Sequence, residues 1–180
     1  KLYRADPANP DSLDSDVIVP VYEDRQGILW IGTDKGLNSY DKRTGIFSHH
    51  LNGYYPGIYE DSVGTFWLGS TSPGVLSIFD RATGQIVKSY VHDPDNPDSL
   101  APTRQVNMIA EDRTDPNILW IVTYDLGVER FDKQTETFSH YSSNPDDPNS
   151  LSANTTFCAE EDKDGYLWIG GINVANRYDY

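Results

Sequence analysis

Acidic pairs are the first residues in this chain that could do chemistry. Glu23-Asp24, Glu60-Asp61, Glu111-Asp112 and Glu161-Asp162 each place two carboxylates side by side, the side-chain type used for general acid and base catalysis. Neighbouring residues of a strand point to opposite faces, however, so the two carboxylates of one pair cannot act on one bond. Four copies also argue against an active site, which is normally unique. An aspartate that accepts hydrogen bonds from its own turn is the expected role. The segments 6–13 (DPANPDSL), 93–100 (DPDNPDSL) and 144–151 (NPDDPNSL) hold enough oxygen atoms to suggest calcium, but they contain no glycine and two stiffening prolines each. They are expected to be exposed connections. His49 and His140 both follow Phe-Ser and repeat with their surroundings, whereas His50 and His92 stand alone. None has a Cys or Asp at ligand spacing. Cys158, a single cysteine in an apolar stretch, is expected to be a small buried hydrophobe. No Gly-rich phosphate loop occurs, and neither a metal nor another cofactor is expected.

What must position these residues is a repeat. Residues 23–33 (EDRQGILWIGT) return as 60–70 (EDSVGTFWLGS), 111–123 (EDRTDPNILWIVT) and 161–171 (EDKDGYLWIGG). All four tryptophans, Trp30, Trp67, Trp120 and Trp168, occupy one place in this phrase, at spacings of 37, 53 and 48 residues. A third phrase recurs as SYDKRTG (39–45), IFDRATG (78–84), RFDKQTE (130–136) and RYDY (177–180).

Each unit parses into four short strands. In the third unit, VNMIAED (106–112) is a nearly continuous apolar run, expected to be buried on both faces. ILWIVT (118–123) follows, and VERFD (128–132) and TFSHYS (137–142) alternate more and should be more exposed. Gly27, Gly64 and Gly165 stand three residues after an aspartate, where a three-residue hairpin needs a left-handed residue. Asn117 takes that place in the third unit, after a two-residue insertion, and is expected to adopt the same conformation. No stretch has a helical period.

Four-stranded units repeating every 40 to 50 residues predict an all-β fold, a β-propeller of four-stranded antiparallel blades, four of them in this chain and part of a larger propeller. The expected divisions are 1–16 (the last strand of a preceding or closing blade and its connection), 17–52, 53–105, 106–155 and an incomplete 156–180. Burying one Trp, roughly 200 Å² at ~25 cal/mol/Å², is worth about 5 kcal/mol, so each Trp should pack against the neighbouring blade. The opening 13 residues align with 139–151, the end of a fourth strand. Either this strand closes onto the last blade, or the chain is a window on a longer array; the window is favoured.

The formal net charge of −14 and the scatter of the 14 Lys and Arg exclude nucleic acid and anionic membrane surfaces as partners. No apolar run of about 18 residues exists, so no segment is expected to span a membrane as a helix.

The pattern carried by Glu23, Asp24, Gly27, Leu29-Trp30-Ile31-Gly32-Thr33, Gly36-Leu37, Tyr40-Asp41, Thr44-Gly45 and Phe47 resembles the two-component regulator propeller repeat, and four copies extend it over nearly the whole chain. The resemblance implies the extracytoplasmic sensor part of a hybrid two-component system, periplasmic or extracellular. It also implies a soluble ligand, with polysaccharide fragments a frequent signal, and no catalysis. A protein-interaction scaffold and a propeller lyase of the streptogramin lyase type are the alternatives. Expected partners are a glycan and either a homodimer mate or neighbouring blades of a longer chain.

The fold places the loops between second and third strands and the inter-blade loops on one face, so side chains that break the repeat there are candidate ligand contacts. These are Asp34, Lys35, Thr71, Tyr124, Asp125 and Asn173 on the first kind of loop, and Tyr54, Tyr55, Arg104 and Asn154 on the second. Tyrosine suits sugars because it offers an apolar face and a hydroxyl.

Overall fold

A computed structural model describes residues 1–179 of the chain; the end of the RYDY phrase, Tyr180, lies outside the described residues. Four antiparallel sheets follow one another along the sequence. They are β1(Ile18–Glu23), β2(Leu29–Thr33), β3(Gly36–Asp41) and β4(Ile46–Asn52); then β5(Gly57–Glu60), β6(Phe66–Gly69), β7(Leu76–Asp80) and β8(Gln85–Tyr90). The third sheet holds β9(Val106–Glu111), β10(Ile118–Thr123), β11(Val128–Asp132) and β12(Thr137–Tyr141), and the fourth holds β13(Thr156–Glu161), β14(Leu167–Gly171) and β15(Val174–Tyr178). Spatial order equals chain order in every sheet. The first strands of successive sheets lie side by side, β1 against β5, β5 against β9 and β9 against β13. This is a four-bladed β-propeller arrangement, and among the described residues it contains no helix.

The hairpin between first and second strands explains the recurring phrase. Asp24 Oδ1 accepts the amides of Gln26 and Ile28 at 2.9 and 3.0 Å, and its Oδ2 accepts the Trp30 indole N–H at 2.8 Å. Asp61 does the same with Val63, Thr65 and Trp67, and Asp162 with Asp164, Tyr166 and Trp168. Gly27, Gly64 and Gly165 take φ of 81°, 90° and 90°, the left-handed geometry this turn needs. Asn117 does not share it, contrary to expectation. The two-residue insertion gives Asp112 the amides of Thr114 and Asp115 instead, and Asn117 is held through its amide by Asp115 Oδ1 at 2.9 Å. Trp120 nevertheless reaches Asp112 Oδ2 at 3.0 Å.

Three tryptophans join blades as expected. Trp30 lies 4.9 Å from Phe66 and 5.5 Å from Phe79 of the second blade, Trp67 5.8 Å from Phe131 of the third, and Trp120 5.4 Å from Tyr178 of the fourth. These rings sit at the centres of the inter-blade apolar clusters. Trp168 differs, being 43% exposed.

A second set of contacts crosses each junction. Glu60 Oε2 accepts the Arg25 amide, Glu111 Oε2 that of Ser62, and Glu161 Oε2 that of Arg113, all at 2.9–3.0 Å. At the first two junctions a cation then ties the carboxylates of two blades together. Arg81 bridges Asp24 (3.0 Å) and Glu60 (2.8 Å), and Lys133 bridges Asp61 (2.9 Å) and Glu111 (2.8 Å). The two members of each acidic pair thus serve different blades.

The proline-rich connections are closed clips. Ser12 Oγ donates to the Asp6 carbonyl and accepts the Asp6 amide; Ser99 repeats this with Asp93, and Ser150 with Asn144. Oδ1 of residues 6, 93 and 144 accepts the amide two residues on. Leu13 and Leu100 seat the clips in the core. A connection of only residues 53–56 joins β4 to β5.

Four further expectations are corrected. In the third blade the second strand, β10, is the fully buried one, while β9 is only half-buried because one side of it borders an open central cleft. β11 is more buried than its alternation suggests, since Glu129 is packed inside, opposite His140. Cys158 is exposed, because it lies on the innermost strand of the fourth blade at a position not covered by a neighbour. The opening stretch forms no strand; an isolated bridge joins Ala5 to Leu13, and the Asp11 carbonyl accepts the Phe47 amide at 3.1 Å. Tyr3 instead packs on Tyr40 and Phe47 at 5.1 and 5.4 Å, as its repeat equivalent Tyr90 packs on Phe131 and Phe138.

The buried lock carries a stability prediction. Asp61→Ala leaves the Trp67 indole, two turn amides and the Lys133 ammonium without their shared acceptor, and is expected to cost about 3 kcal/mol in urea unfolding. Asp162→Ala, at the exposed Trp168, is expected to cost measurably less.

Candidate functional site

Two regions could hold a ligand: the loop face expected from sequence, and the centre of the blades. On the loop face the structure gathers some of the expected residues. Arg104 Nε lies 3.1 Å from Asp125 Oδ2, and Asp125 Oδ1 accepts the Thr103 hydroxyl at 2.7 Å. The Tyr124 amide donates to the Gln105 carbonyl, and Thr71 forms a backbone bridge with the same Gln105. The exposed Tyr124 ring stands 6.0 Å from Phe157. Lys35, Tyr54 and Tyr55 lie around the short connection of the first two blades; Lys35 Nζ donates to the Asp14 carbonyl and the Tyr55 hydroxyl to that of Asn52. Asp34 is exposed beside them. Asn154 accepts the amides of Gly127, through its carbonyl, and Ser143, through its side chain. Asn173 is a left-handed turn residue with φ of 59°. The loop residues thus form separate groups, and Lys35 borders a recess of about 220 Å³ under the first clip.

The larger space is a cleft of about 610 Å³ between the first strands. Its wall contains one residue from each blade at the position just before the acidic pair: Tyr22, Tyr59, Ala110 and Glu160. Met108, Glu111 and Arg113 lie beside this row. The row lies on strands, away from the loops where the repeat was expected to break. The signal was present, since Tyr, Tyr, Ala and Glu precede an otherwise constant Glu-Asp. Tyr22 and Tyr59 are 6.2 Å apart, tilted by 59°. Burial pushes both phenols up, so each remains a neutral hydroxyl at neutral pH. Arg113 faces Glu160 at 3.9 Å across the open side, and both side chains are largely exposed. Apolar ring faces at one end and charged hydrogen-bonding groups at the other are what the cleft offers.

The acidic pairs are consumed by structure. Burial works against ionisation of Asp24, Asp61 and Asp112. The tryptophan N–H and turn amides outweigh it, aided at Asp24 by Arg81 and at Asp61 by Lys133, and hold all three carboxyls below their usual range. Carboxylates so held are poor proton carriers near neutral pH.

Among the described residues one imidazole–carboxylate pair is formed, His140 Nδ1 with Glu129 at 2.5 Å. The other ring nitrogen is 2.9 Å from the Pro97 carbonyl, so the pair grips the clip between the second and third blades rather than a nucleophile. His49 binds the Ser12 carbonyl in the same way at 2.8 Å. Among the described residues no group of three or more His, Cys, Asp and Glu is placed to hold a metal ion.

The fold and these junctions define a repeat propeller whose blades are joined by aspartate–tryptophan locks. The two-component regulator propeller family matches residues 12–35 and 150–173. Among solved structures, the extracellular domain of BT3049 of B. thetaiotaomicron, designated a hybrid two component system, has 25% identity and a TM-score of 0.74 over 93% of this chain and 25% of its own. That of BT4673 from the same organism has 19% identity and a TM-score of 0.76 over 93% and 22%. A chain of the mitotic checkpoint complex shares only the fold, with 12% identity and a TM-score of 0.66 over 94% of this chain and 48% of its own. The chain spans about a quarter of the length of these two B. thetaiotaomicron structures. No curated protein matches it. Two segments of the chain thus match the two-component regulator propeller repeat, and nearly all of it shares the fold of these extracellular domains.

The His140 pair carries a pH prediction. Burial pulls His140 down, but the Pro97 carbonyl and the Glu129 charge outweigh it and hold it above the ordinary histidine range. Burial pushes Glu129 up, against the pull of His140. Both folded values exceed the unfolded ones, so both contributions are lost with rising pH. For His140 the contribution is complete below about pH 6.5 and disappears as pH rises through its raised folded value. The thermal midpoint should therefore fall from pH 6 to pH 8, and His140→Gln should flatten that dependence.

Proposed function

We propose that this propeller is the non-catalytic ligand-sensing part of an extracytoplasmic two-component sensor, and that it recognises an oligosaccharide in the central cleft. The observation that carries the reading is the row Tyr22, Tyr59, Ala110 and Glu160, the non-repeating position of a constant phrase, set along one 610 Å³ cleft. Tyrosine rings offer stacking faces to the C–H surfaces of a sugar, Ala110 leaves room between blades, and Glu160 and Arg113 supply hydrogen bonds at the rim. The relatives named extracellular domains of hybrid two component systems support an extracytoplasmic setting for this chain. Sensing would follow from tighter binding to one arrangement of the propeller and its attached parts than to another.

A second reading places the ligand on the loop face. It is favoured by the largely exposed Arg104 paired with Asp125 beside the exposed ring of Tyr124. Calorimetry with a panel of neutral and acidic oligosaccharides separates the two. In the first reading Tyr59→Ala weakens binding about tenfold, ~1.4 kcal/mol, while Arg104→Ala leaves it unchanged. Loss of binding in Arg104→Ala alone moves the site to the loop face. Absence of heat with every sugar overturns the glycan reading.

A further inference from the structure

At the junction of the second and third blades, side chains from both fill the space beside the tryptophan. Trp67 of β6 pairs with Ile78 of β7, and Ile78 with Lys88 of β8, so the three stand in one row across the blade. Lys88 Nζ donates to Glu136 of the third blade and lies 5.0 Å from the centre of the Tyr90 ring. The Tyr90 hydroxyl donates to the same Glu136 at 3.2 Å.

The junction of the first and second blades has the same row with smaller members. Trp30 pairs with Ser39, and Ser39 with Ser48. His50 stands 4.9 Å from Trp30, where Tyr90 stands beside Trp67. Gly84 takes the left-handed turn position of Glu136, with φ of 71° against 59°. The result is a recess of about 410 Å³, bordered by Trp30, Ser39, Asp41, Ser48, His50 and Arg81 among others. Small-molecule pockets span roughly 300–1,000 Å³.

The half-buried His50 marks what the recess lacks. Its Nε2 is 2.8 Å from the Ser39 hydroxyl, and its Nδ1 has no partner among the described residues. Nδ1 lies toward Gly84, whose added β-carbon would stand 3.7 Å away. The acceptor that Glu136 gives Tyr90 is therefore missing at His50. The charges around the recess are already paired, Arg81 with Asp24 and Glu60, and Asp41 with Arg43. Burial holds His50 below the ordinary histidine range, so its ring is neutral at neutral pH. Hydroxyls, an imidazole nitrogen and an indole edge, with no unpaired charge among them, suit a neutral molecule rich in hydroxyls.

We propose that the recess between the first and second blades binds a single neutral sugar ring, with one sugar hydroxyl on His50 Nδ1 and others on Ser39 and Ser48. The site is separate from the central cleft and does not rest on the reading given for it.

Nuclear magnetic resonance of the histidine rings, with glucose, galactose, mannose and N-acetylglucosamine as probes, tests this. The His50 resonance, assigned by its loss in His50→Gln, is expected to move saturably with at least one sugar at millimolar concentration, while that of His140 stays. Ser48→Lys, alone or with Ser39→Ile, installs the side chains that fill the next junction. Each is expected to weaken binding at least tenfold, whereas Tyr59→Ala leaves it unchanged. A His50 resonance that none of the four sugars moves overturns the proposal. So does a shift that survives Ser48→Lys or is lost in Tyr59→Ala, since the sugar would then sit elsewhere. Each of these failures leaves the cleft reading standing.

Discussion

The structure depends on one hydrogen bond repeated four times, from a tryptophan indole to an aspartate six or eight residues earlier. The aspartate is the acceptor at the centre of each hairpin. One oxygen closes the turn and the other orients the ring that fills the next junction. Without the carboxylate the indole N–H would be buried without an acceptor, and an unmade buried hydrogen bond costs more than a made one gains. Turn, strand register and blade stacking are therefore satisfied by the same four or five atoms. The bridging Arg81 and Lys133 then offset the charge that this arrangement buries, which two adjacent acids alone would not tolerate.

A scaffold specified this tightly leaves little sequence freedom at its junctions and much elsewhere. The position before each acidic pair is such a place. It lies on the innermost strand, faces the central space and is not needed by the lock, so Tyr22, Tyr59, Ala110 and Glu160 can differ while the phrase after them stays constant. The loop face has the opposite character. Its polar groups are committed to one another, as at Arg104 with Asp125 and Asn154 with Ser143.

Much of the architecture was legible because it is written in short-range chemistry. Gly27, Gly64 and Gly165 marked left-handed turns, and one tryptophan at the same place in each repeat marked the stacking. What could not be read depends on pairs distant in sequence. Arg81 and Asp24 are 57 residues apart and Lys133 and Asp61 are 72, so nothing in either neighbourhood announces the bridge. Glu129 looked like a solvent-facing residue of an alternating strand, and only its partner on β12, His140, explains its burial. Asn117 shows a local rule failing for a local reason: two inserted residues gave the aspartate other amides to hold, and the left-handed residue was no longer required. The candidate ligand row is not legible as a site because it lies on strands, where a varying residue beside a constant lock has the same sequence signature as ordinary scaffold.

The division of each acidic pair between two blades has a consequence for how such a molecule can change over generations. Every blade offers a donor side and an acceptor side of the same pattern, and neither side depends on which copy meets it. Loss of part of a unit would strand a buried charge, whereas gain or loss of a whole unit would leave each remaining boundary chemically unaltered. The natural step size of this architecture is therefore one complete blade, and its length behaves like a count rather than a continuous quantity.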